Sequence, residues 1–423
     1  MARNLTTGLQ RGLRRSVAGG LGAGDLFSTA ALDLRFAQQK TLDPRITFTR
    51  ASSGTYVDSQ GVIRTATTNE PRFDHNPTTR ESLGLLVEEQ RTNLLPYSAC
   101  DSNWPTGGFG TATYNLGLSA LGVFSGVQIA SAGQNWHSIY RTGISLTAST
   151  VYAFTLFYRA GTSGRVRLTF RNNTTATETV VNGSAGNLSV SAAFAGAATI
   201  LSQYLCSDGL TYVVAGTYTP NGTSTDHWYR VGPDSTTTGQ TVIALGGQLE
   251  AGSFPTSYIP TTTAAVTRSA DVASITGSNF SSWASTSAYT MFAEAARQPA
   301  IASGAHLIGL SDGTLSNRTG LRWDTSSSLT LLSITSSVTD GFVGLTLNSS
   351  QAPNKIAYAF AANDLSGTAS GNSVTADTAV AFPSVNQLGI GNVAGVSPFT
   401  GWVRRLTYWP QRLSNETLQQ ITR

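Results

Sequence analysis

Several tryptophans in this sequence stand beside the polar side chains that sugar binding requires. A sugar-binding site offers an exposed aromatic ring on which a pyranose stacks, with amide and carboxylate groups that hydrogen-bond the sugar hydroxyls. The candidate glycan-binding residues are Trp104, Gln134, Asn135, Trp136, Arg322, Trp323 and Asp324. For Trp104 and Trp136 the alternative is packing in or around a hydrophobic core, because tryptophan is highly buried on average.

The carboxylates form no pattern that predicts catalysis. A glycosidase needs two carboxylates that flank the scissile bond, one of them held protonated. The adjacent pair Glu88 and Glu89 would point to opposite faces of a strand. Other glutamates stand alone in the sequence, among them Glu178, Glu250, Glu294 and Glu416. We therefore expect no catalytic residues, and a polysaccharide-degrading enzyme is the rival interpretation.

Metal ligands and reactive thiols are equally sparse. The four histidines, His75, His137, His227 and His306, are far apart and lack the spacing of metal ligands. Cys100 and Cys206 could pair, or each could be a buried thiol. We expect no cofactor and leave a structural calcium ion open, because sandwich lectins hold calcium through carboxylates and carbonyls. Candidate carboxylates for it are Asp312, Asp324 and Asp364.

Composition favours an all-β fold. Charged residues make up 12% of the 423 residues, about half the share in an average globular protein, while hydrophobic residues reach a normal 40%. Ser, Thr, Gly and Asn take the place of the missing charges, which is typical of twisted sheets joined by many turns. The net charge of +4 comes largely from the N-terminus, so we expect no nucleic-acid partner. No segment has the roughly 18 to 20 unbroken apolar residues that span a bilayer.

Residues 1–42 are predicted to form a basic amphipathic N-terminal anchoring arm. A leucine or valine recurs at every fourth position, and arginines lie between. The residues expected to contact a partner are Leu5, Leu9, Leu13, Val17, Arg11, Arg14 and Arg15. Glycines weaken a helix here, so we expect the arm to order only in a partner's groove. Binding to a membrane surface is the alternative, without insertion.

Residues 43–97 are predicted to form a hairpin-rich linker segment. Thr55–Val57 and 62–64 flank a four-residue turn, and 71–74 and 83–87 flank a second turn that starts at Asn76-Pro77. Alternating short strands then predict a jelly-roll-like β-sandwich over 98–262, whose first and last strands lie near each other. A linker over 263–280 and a second, lectin-like antiparallel sandwich over 281–423, with a C-terminal helix capped by Ser414, complete the prediction.

The run ITFTRASSGTYVDSQGVIRT, followed by NEPRFDH and ESLGLLVEEQRTNLL, resembles a linker segment of structural proteins of tailed bacteriophages. In those proteins it joins a virion-anchoring N-terminus to β-sandwiches that resemble carbohydrate-binding modules. A second stretch, ALGGQLEAGSFPTSYIPTTTAAVTRSAD, closes the following domain in the same proteins. The C-terminal FTGWVRRLTYWPQRLSNETLQQ resembles the last strand and helix of concanavalin- or laminin-G-like domains.

The resemblance implies a non-enzymatic virion appendage, a fibre or spike subunit on the exterior of a phage or phage-like particle. The implied partners are other virion proteins (tail, portal or capsid) through the arm, host-surface glycan through the sandwiches, and two further copies in a homotrimer. Tail and head attachment both stay open. Besides the enzymatic spike, the remaining alternative is a purely structural decoration or connector protein.

Overall fold

The computed structural model describes residues 26–107, 110–298, 304–325, 327–348 and 353–423. Its strands pair antiparallel and form two β-sandwiches and one separate hairpin. The residues predicted to attach the arm to a partner, Leu5 to Val17, lie outside the described residues. Among the described residues, no helix combines the length and the apolar character needed to cross a membrane.

The first sandwich consists of two sheets that face each other across one core. Sheet I has the order β16 (Gly196–Leu205), β17 (Tyr212–Pro220), β12 (Tyr152–Arg159), β19 (Thr241–Ala251), β10 (Val127–Ala130) and β9 (Thr111–Thr113), with β7 (Arg91–Asn93) and β20 (Val266–Arg268) joined at β19. Sheet II has the order β15 (Asn187–Ala193), β14 (Thr177–Ser184), β13 (Arg165–Asn172), β18 (Ser224–Pro233), β11 (Ser138–Leu146) and β8 (Thr106–Gly107). Phe154 and Leu156 of sheet I pack with Leu168 and Phe170 of sheet II in the core.

The second sandwich also consists of two sheets around one core. Sheet III has the order β29 (Thr375–Asp377), β28 (Asp364–Ala369), β27 (Asn354–Ala361), β22 (Ala288–Arg297), β31 (Gly401–Trp409), β6 (Ser82–Val87) and β5 (Arg72–His75), and β1 (Leu32–Leu34) also pairs with β31. Sheet IV has the order β2 (Thr47–Thr49), β21 (Val272–Thr276), β30 (Gln387–Ile390), β23 (Ala305–Ser311), β24 (Arg318–Trp323), β25 (Ser328–Thr335) and β26 (Val338–Thr346).

Short elements complete the fold. The separate hairpin pairs β3 (Gly54–Val57) with β4 (Ile63–Ala66), as the sequence predicted. Helices α1 (Phe36–Gln39) and α2 (Ser278–Ser281) are single turns, and α3 (Asn415–Ile421) ends the chain. Ser414 caps α3 by accepting a hydrogen bond from the Thr417 amide, and Leu418 and Ile421 are buried. The all-β prediction with two antiparallel sandwiches is confirmed.

The domain boundaries differ from the predicted ones. Four strands from the segment predicted as arm and linker (β1, β2, β5 and β6) belong to the sheets of the second sandwich, and so does β21 of the predicted 263–280 linker. The second sandwich therefore comprises residues 32–87 and 272–421, and the first sandwich is inserted between them. The physical reason is that β6 pairs with β31 and buries Leu85 and Val87 in the second core, which a free linker would expose.

A buried group of five charged residues occupies the place where the chain passes between the sandwiches. This ion cluster consists of Arg50, Arg72, Glu88, Arg268 and Asp271, all with side chains at most 1% exposed. Asp271 accepts from Arg50 Nη1 at 3.0 Å and from Arg72 Nη2 at 2.5 Å, and Arg72 Nη1 lies 2.7 Å from Glu88 Oε2. The guanidinium groups of Arg268 and Arg72 lower the pKa of Glu88 to about 2 despite its burial.

The two chain crossings run side by side through this cluster. The Asp271 amide donates to the Glu88 carbonyl at 2.9 Å, and the Glu88 amide donates to Asp271 Oδ2 at 2.8 Å. The Glu88 carboxylate also accepts from the amide and hydroxyl of Ser257, each at 2.7 Å. The two stretches that resemble the phage segment, 43–95 and 244–271, are thus the parts of the chain that build the cluster.

Candidate functional site

Trp136 is the sequence-predicted tryptophan that faces solvent, with 39% of its surface exposed. It lies in the connection between β10 and β11, at one end of sheet II, and Gln134 beside it is exposed while Asn135 is half-buried. The neighbouring His137 is buried, and its Nδ1 accepts a hydrogen bond from the Ala132 amide at 2.7 Å, which fixes the turn. Trp136 therefore meets the requirement of an accessible ring.

Trp104 and Trp323 were predicted as alternatives, and the structure excludes both as accessible sugar platforms. Both side chains are completely buried. Trp104 belongs to the first core, donates from Nε1 to the Tyr97 carbonyl at 2.7 Å and packs edge-on against Tyr229. Trp323 belongs to the second core and stacks on Phe399. The physical reason is that each lies on the inner side of its sandwich, where apolar area is removed from water.

The carboxylates considered for calcium are engaged by donors of the protein. Asp324 accepts from Arg322 Nε at 2.7 Å, and Asp364 accepts from Arg412 Nε at 2.8 Å. Asp312 accepts from Thr314 and Asn317. The part of the chain that the structure describes contains no group of three His, Cys, Asp or Glu side chains that could hold a metal ion. Cys100 and Cys206 are both free and buried, in different hydrophobic clusters.

The alternation of β13 places a row of arginines on the outer face of sheet II. Val166, Leu168 and Phe170 point into the core, so that Arg165, Arg167 and Arg171 point away from it. β14 and β18 flank β13 on its two sides, and their outward-facing residues include Glu178, Trp228 and Arg230. We call these residues the arginine face: Arg167, Arg171, Glu178, Trp228 and Arg230. Tyr140 on β11 lies next to the arginine face.

Three guanidinium groups of the arginine face converge on one carboxylate. Glu178 Oε1 accepts from Arg230 Nη1 at 2.7 Å and from Arg171 Nη1 at 3.0 Å. Arg167 Nη2 lies 3.5 Å from Glu178 Oε2. These arginine side chains keep 10% to 26% of their surface exposed, so the cluster is open to solvent on one side. Within the described residues, Arg167 Nη1 and Arg171 Nη2 have no hydrogen-bond partner, so both are free to donate to a ligand.

Aromatic rings lie beside these arginines. Tyr140 and Trp228 stack with their centroids 4.8 Å apart and an interplanar angle of 9°. Arg171 lies over the Trp228 ring at 5.7 Å, and the indole Nε1 donates to Asp226 Oδ1 at 2.8 Å. Both rings are half-buried, and the hydrogen bond fixes the orientation of the indole. The face therefore presents fixed apolar edges next to cationic donors.

Arg230 connects the arginine face to the turn that carries Trp136. Its Nη2 donates to the Trp136 carbonyl at 3.1 Å, and its Nε donates to Ser138 Oγ at 3.2 Å. Burial lowers the pKa of Arg230 against the opposing effect of Glu178, and the neighbouring Arg171 and Arg167 lower it further. Arg230 thus joins the turn that carries Trp136 to the arginine face through the Trp136 carbonyl.

The charge of this surface is positive. Three arginines and Glu178 carry a formal charge of +2, which Asp226 reduces to +1. Guanidinium groups match carboxylates in shape and donate two parallel hydrogen bonds to them. An arrangement of this kind can bind an anionic, partly apolar ligand on an open face. Because three arginines contact Glu178 by hydrogen bonds or charge, that side chain holds their guanidinium groups in place.

Sequence reasoning identified Trp136, and the rest of this surface was missed. Alternation predicts short strands within 98–262, but it does not show what the polar positions of β13 contact. The signal was present, since arginine recurs at 165, 167 and 171, always on the same side of a strand. The partners Glu178 and Arg230 lie on other strands, so that only the pairing of β13 with β14 and β18 brings them together.

Comparisons with known proteins assign this chain to no family. No protein-family model and no curated protein matches the sequence. Among solved structures, the CBM40 of the Ruminococcus gnavus IT-sialidase is 14% identical, with 33% of this chain and 84% of that chain covered and a TM-score of 0.29.

Two further solved structures are similar to about the same extent. The NanB sialidase of Streptococcus pneumoniae is 14% identical, with 35% of this chain and 26% of that chain covered and a TM-score of 0.31. Domain 4 of AbnA, a GH43 extracellular arabinanase of Geobacillus stearothermophilus solved with arabinotriose, is 12% identical, with 36% of this chain and 73% of that chain covered and a TM-score of 0.30. TM-scores near 0.3 and identities near 14% assign neither a function nor a ligand to this chain.

Proposed function

We propose that this chain is a non-enzymatic glycan-binding protein whose arginine face binds sugars that carry a carboxylate. The observation that carries the proposal is a pair of guanidinium nitrogens, Arg167 Nη1 and Arg171 Nη2, that have no hydrogen-bond partner in the described part of the chain and lie on the same face as the stacked Tyr140 and Trp228 rings. A carboxylate takes the two free donors, and the ring edges of Trp228 and Trp136 contact the apolar face of the sugar.

The binding experiment compares acidic with neutral sugars on the full chain. Titration with N-acetylneuraminic acid, glucuronic acid and their neutral counterparts, followed by saturation-transfer NMR, measures the preference for a carboxylate. Arg171→Ala removes a charge-assisted hydrogen bond worth about 1.5 to 3 kcal/mol, which corresponds to a loss of affinity of about 10- to 150-fold. Raising the ionic strength weakens the same interaction.

Arg165→Ala is the matched control for this experiment. Arg165 lies on the same strand and the same face, but it pairs with Asp234 at 2.6 Å and takes no part in the arginine face. We expect Arg165→Ala to bind acidic sugars as the unchanged protein does. Equal binding by Arg171→Ala and Arg165→Ala, or no preference for sugars with a carboxylate, would contradict the proposal.

We further propose that the protein is an exterior fibre or spike subunit of a phage or phage-like particle, attached through the N-terminal arm. The resemblance of residues 43–95 and 244–271 to segments of phage structural proteins supports this proposal. Deletion of residues 1–24 should leave a folded protein that no longer joins particles. Truncated protein recovered on purified particles at full occupancy would move the attachment site elsewhere.

The same resemblance implies a homotrimer, and we include a homotrimer in this proposal. Sedimentation equilibrium of the purified chain distinguishes a trimer from a monomer. A glycan array without any binding, together with normal assembly, would instead favour the connector protein that binds other virion proteins alone.

A further inference from the structure

A cleft of about 490 Å³ separates the two sandwiches. One wall is the outer face of sheet III, formed by β5, β6 and β31, and the opposite wall is the outer face of sheet I, formed by β12, β16 and β17. The β3 strand and the 255–258 turn line one end. Its volume lies within the roughly 300 to 1,000 Å³ of small-molecule sites. None of the residues of the arginine face lines this cleft.

The polar group on the sheet III wall is Asp74, which is held in a fixed position. Its Oδ1 accepts from the Val57 amide at 2.7 Å, and its Oδ2 accepts from Trp402 Nε1 at 2.8 Å. Each carboxylate oxygen retains a second lone pair that a ligand hydroxyl can use. Burial raises the pKa of Asp74 to about 6, so that it is ionised at neutral pH. The half-buried Trp402 ring lies beside it on the same wall.

The polar group on the sheet I wall is the hydroxyl of Tyr204. Tyr204 lines the cleft from β16, and its hydroxyl makes no hydrogen bond within the described part of the chain. Burial raises the pKa of Tyr204, so its hydroxyl keeps its proton at neutral pH. A hydroxyl without a hydrogen-bond partner in the described part of the chain and a carboxylate with free lone pairs therefore line the same cleft from opposite walls.

The charges around the cleft largely balance one another. Arg404 pairs with two glutamates, each at 3.0 Å, and Glu88 at the base pairs with an arginine of the ion cluster. Asp74 and Arg297 both line the cleft and carry opposite charges. Without an excess of positive charge, the cleft suits a neutral ligand better than the carboxylate-bearing ligand of the arginine face.

We propose that this cleft is a second binding site that takes a neutral mono- or disaccharide. The hydroxyls of a sugar can donate to Asp74 and accept from Tyr204, which a purely apolar ligand cannot do. The apolar carbon face of a pyranose suits the Trp402 and Tyr56 rings, both of which line the cleft. Because each wall comes from a different sandwich, the site exists only where the two sandwiches meet.

The test uses the full chain and a panel of neutral sugars: glucose, galactose, mannose, N-acetylglucosamine, lactose and cellobiose. Saturation-transfer NMR and titration up to about 50 mM detect binding as weak as a Kd of a few millimolar. We expect at least one of these sugars to bind in a saturable way. Tyr204→Phe removes one hydroxyl and should weaken that sugar about threefold to tenfold, the effect of one neutral hydrogen bond.

Ser202→Trp provides an independent test that does not disturb a buried residue. Ser202 is exposed and lines the cleft, so a large ring there fills the entrance without entering a core. This variant should lose binding of the neutral sugar. Two matched controls should bind as the unchanged protein does: Ser189→Trp, an exposed strand residue of sheet II, and Tyr212→Phe, which stacks on Tyr158 on the core side of the same hairpin.

The outcome is separable from that of the arginine face. Arg171→Ala should leave neutral-sugar binding unchanged, and Ser202→Trp should leave acidic-sugar binding unchanged. Absence of saturable binding by every sugar of the panel would overturn the second site. Unchanged affinity in both Tyr204→Phe and Ser202→Trp would overturn it as well, whatever the result for acidic sugars.

Discussion

Replacing Asp271 by Asn tests whether the ion cluster holds the two sandwiches together. Asp271 is buried and accepts from Arg50 Nη1 at 3.0 Å, from Arg72 Nη2 at 2.5 Å and from the Glu88 amide at 2.8 Å. The change removes one of two carboxylates that face three arginines. The formal charge of the cluster then rises from +1 to +2 inside the protein.

The expected cost is large because the remaining charges stay buried. Breaking a buried ion pair by removing one partner costs about 3 to 5 kcal/mol, since the other charge loses its compensation. The Asn amide group also brings N–H donors toward guanidinium donors, which adds an unfavourable contact. Burial and the neighbouring Arg72 lower the pKa of Arg50, and Asp271 is the carboxylate that opposes both effects.

Urea unfolding of the full chain, followed by tryptophan fluorescence and by circular dichroism, measures the loss in free energy of unfolding. Asp43→Asn is the control, because Asp43 pairs with Arg45 at a partly exposed position and should cost about 1 kcal/mol or less. A loss below about 1 kcal/mol for Asp271→Asn, comparable with the control, would refute the idea that the cluster stabilises the junction.

Three further outcomes are expected. The pKa of Glu88 is lowered from 4.5 to about 2, so its carboxylate contributes about 3 kcal/mol of stability above pH 4.5, and this contribution is lost as the pH falls through 2. The stability of Glu88→Gln should therefore not show this loss between pH 4.5 and 2. If the variant and the unchanged protein lose stability equally over this range, the lowered pKa of Glu88 is contradicted. Trp104→Ala should lower the free energy of unfolding by about 3 to 5 kcal/mol, measured by thermal unfolding. Trp136→Ala should leave the melting temperature nearly unchanged. Equal melting temperatures of the two variants would contradict a core role for Trp104 and a surface role for Trp136. A fragment of residues 88–271 should fold alone, while 278–423 should remain unfolded by circular dichroism because it lacks β1, β2, β5, β6 and β21; a cooperative transition in 278–423 would contradict this.

The sequence predicted the individual strands and the C-terminal helix better than it predicted how the strands pair into sheets. Alternation located most strands, and the cap at Ser414 predicted α3, because these signals are local. The hairpins at 54–66 and 72–87 were located by their turn residues for the same reason. The return of the chain to the second sandwich could not be inferred, since the pairing of β6 with β31 joins residues more than 300 positions apart.

The candidate site shows the same limit. A tryptophan beside polar residues is equally compatible with a core and with a surface, and burial decides between Trp136 and Trp104 or Trp323. The arginine face depends on the register of three strands, and the cleft depends on two sandwiches. Charged residues of 43–95 were recognised as a distinctive pattern, but their burial as partners of Arg268 and Asp271 required the fold.

The insertion of one sandwich into the other determines how a pulling force passes through the molecule. A ligand held on the arginine face would pull on the first sandwich, and the tension reaches the second through two parallel chain crossings. Because the crossings are bonded to each other at Glu88 and Asp271, they share the load and must separate together. A single tether would instead carry all of the force through one backbone. The junction thus divides a force on the first sandwich between two backbones.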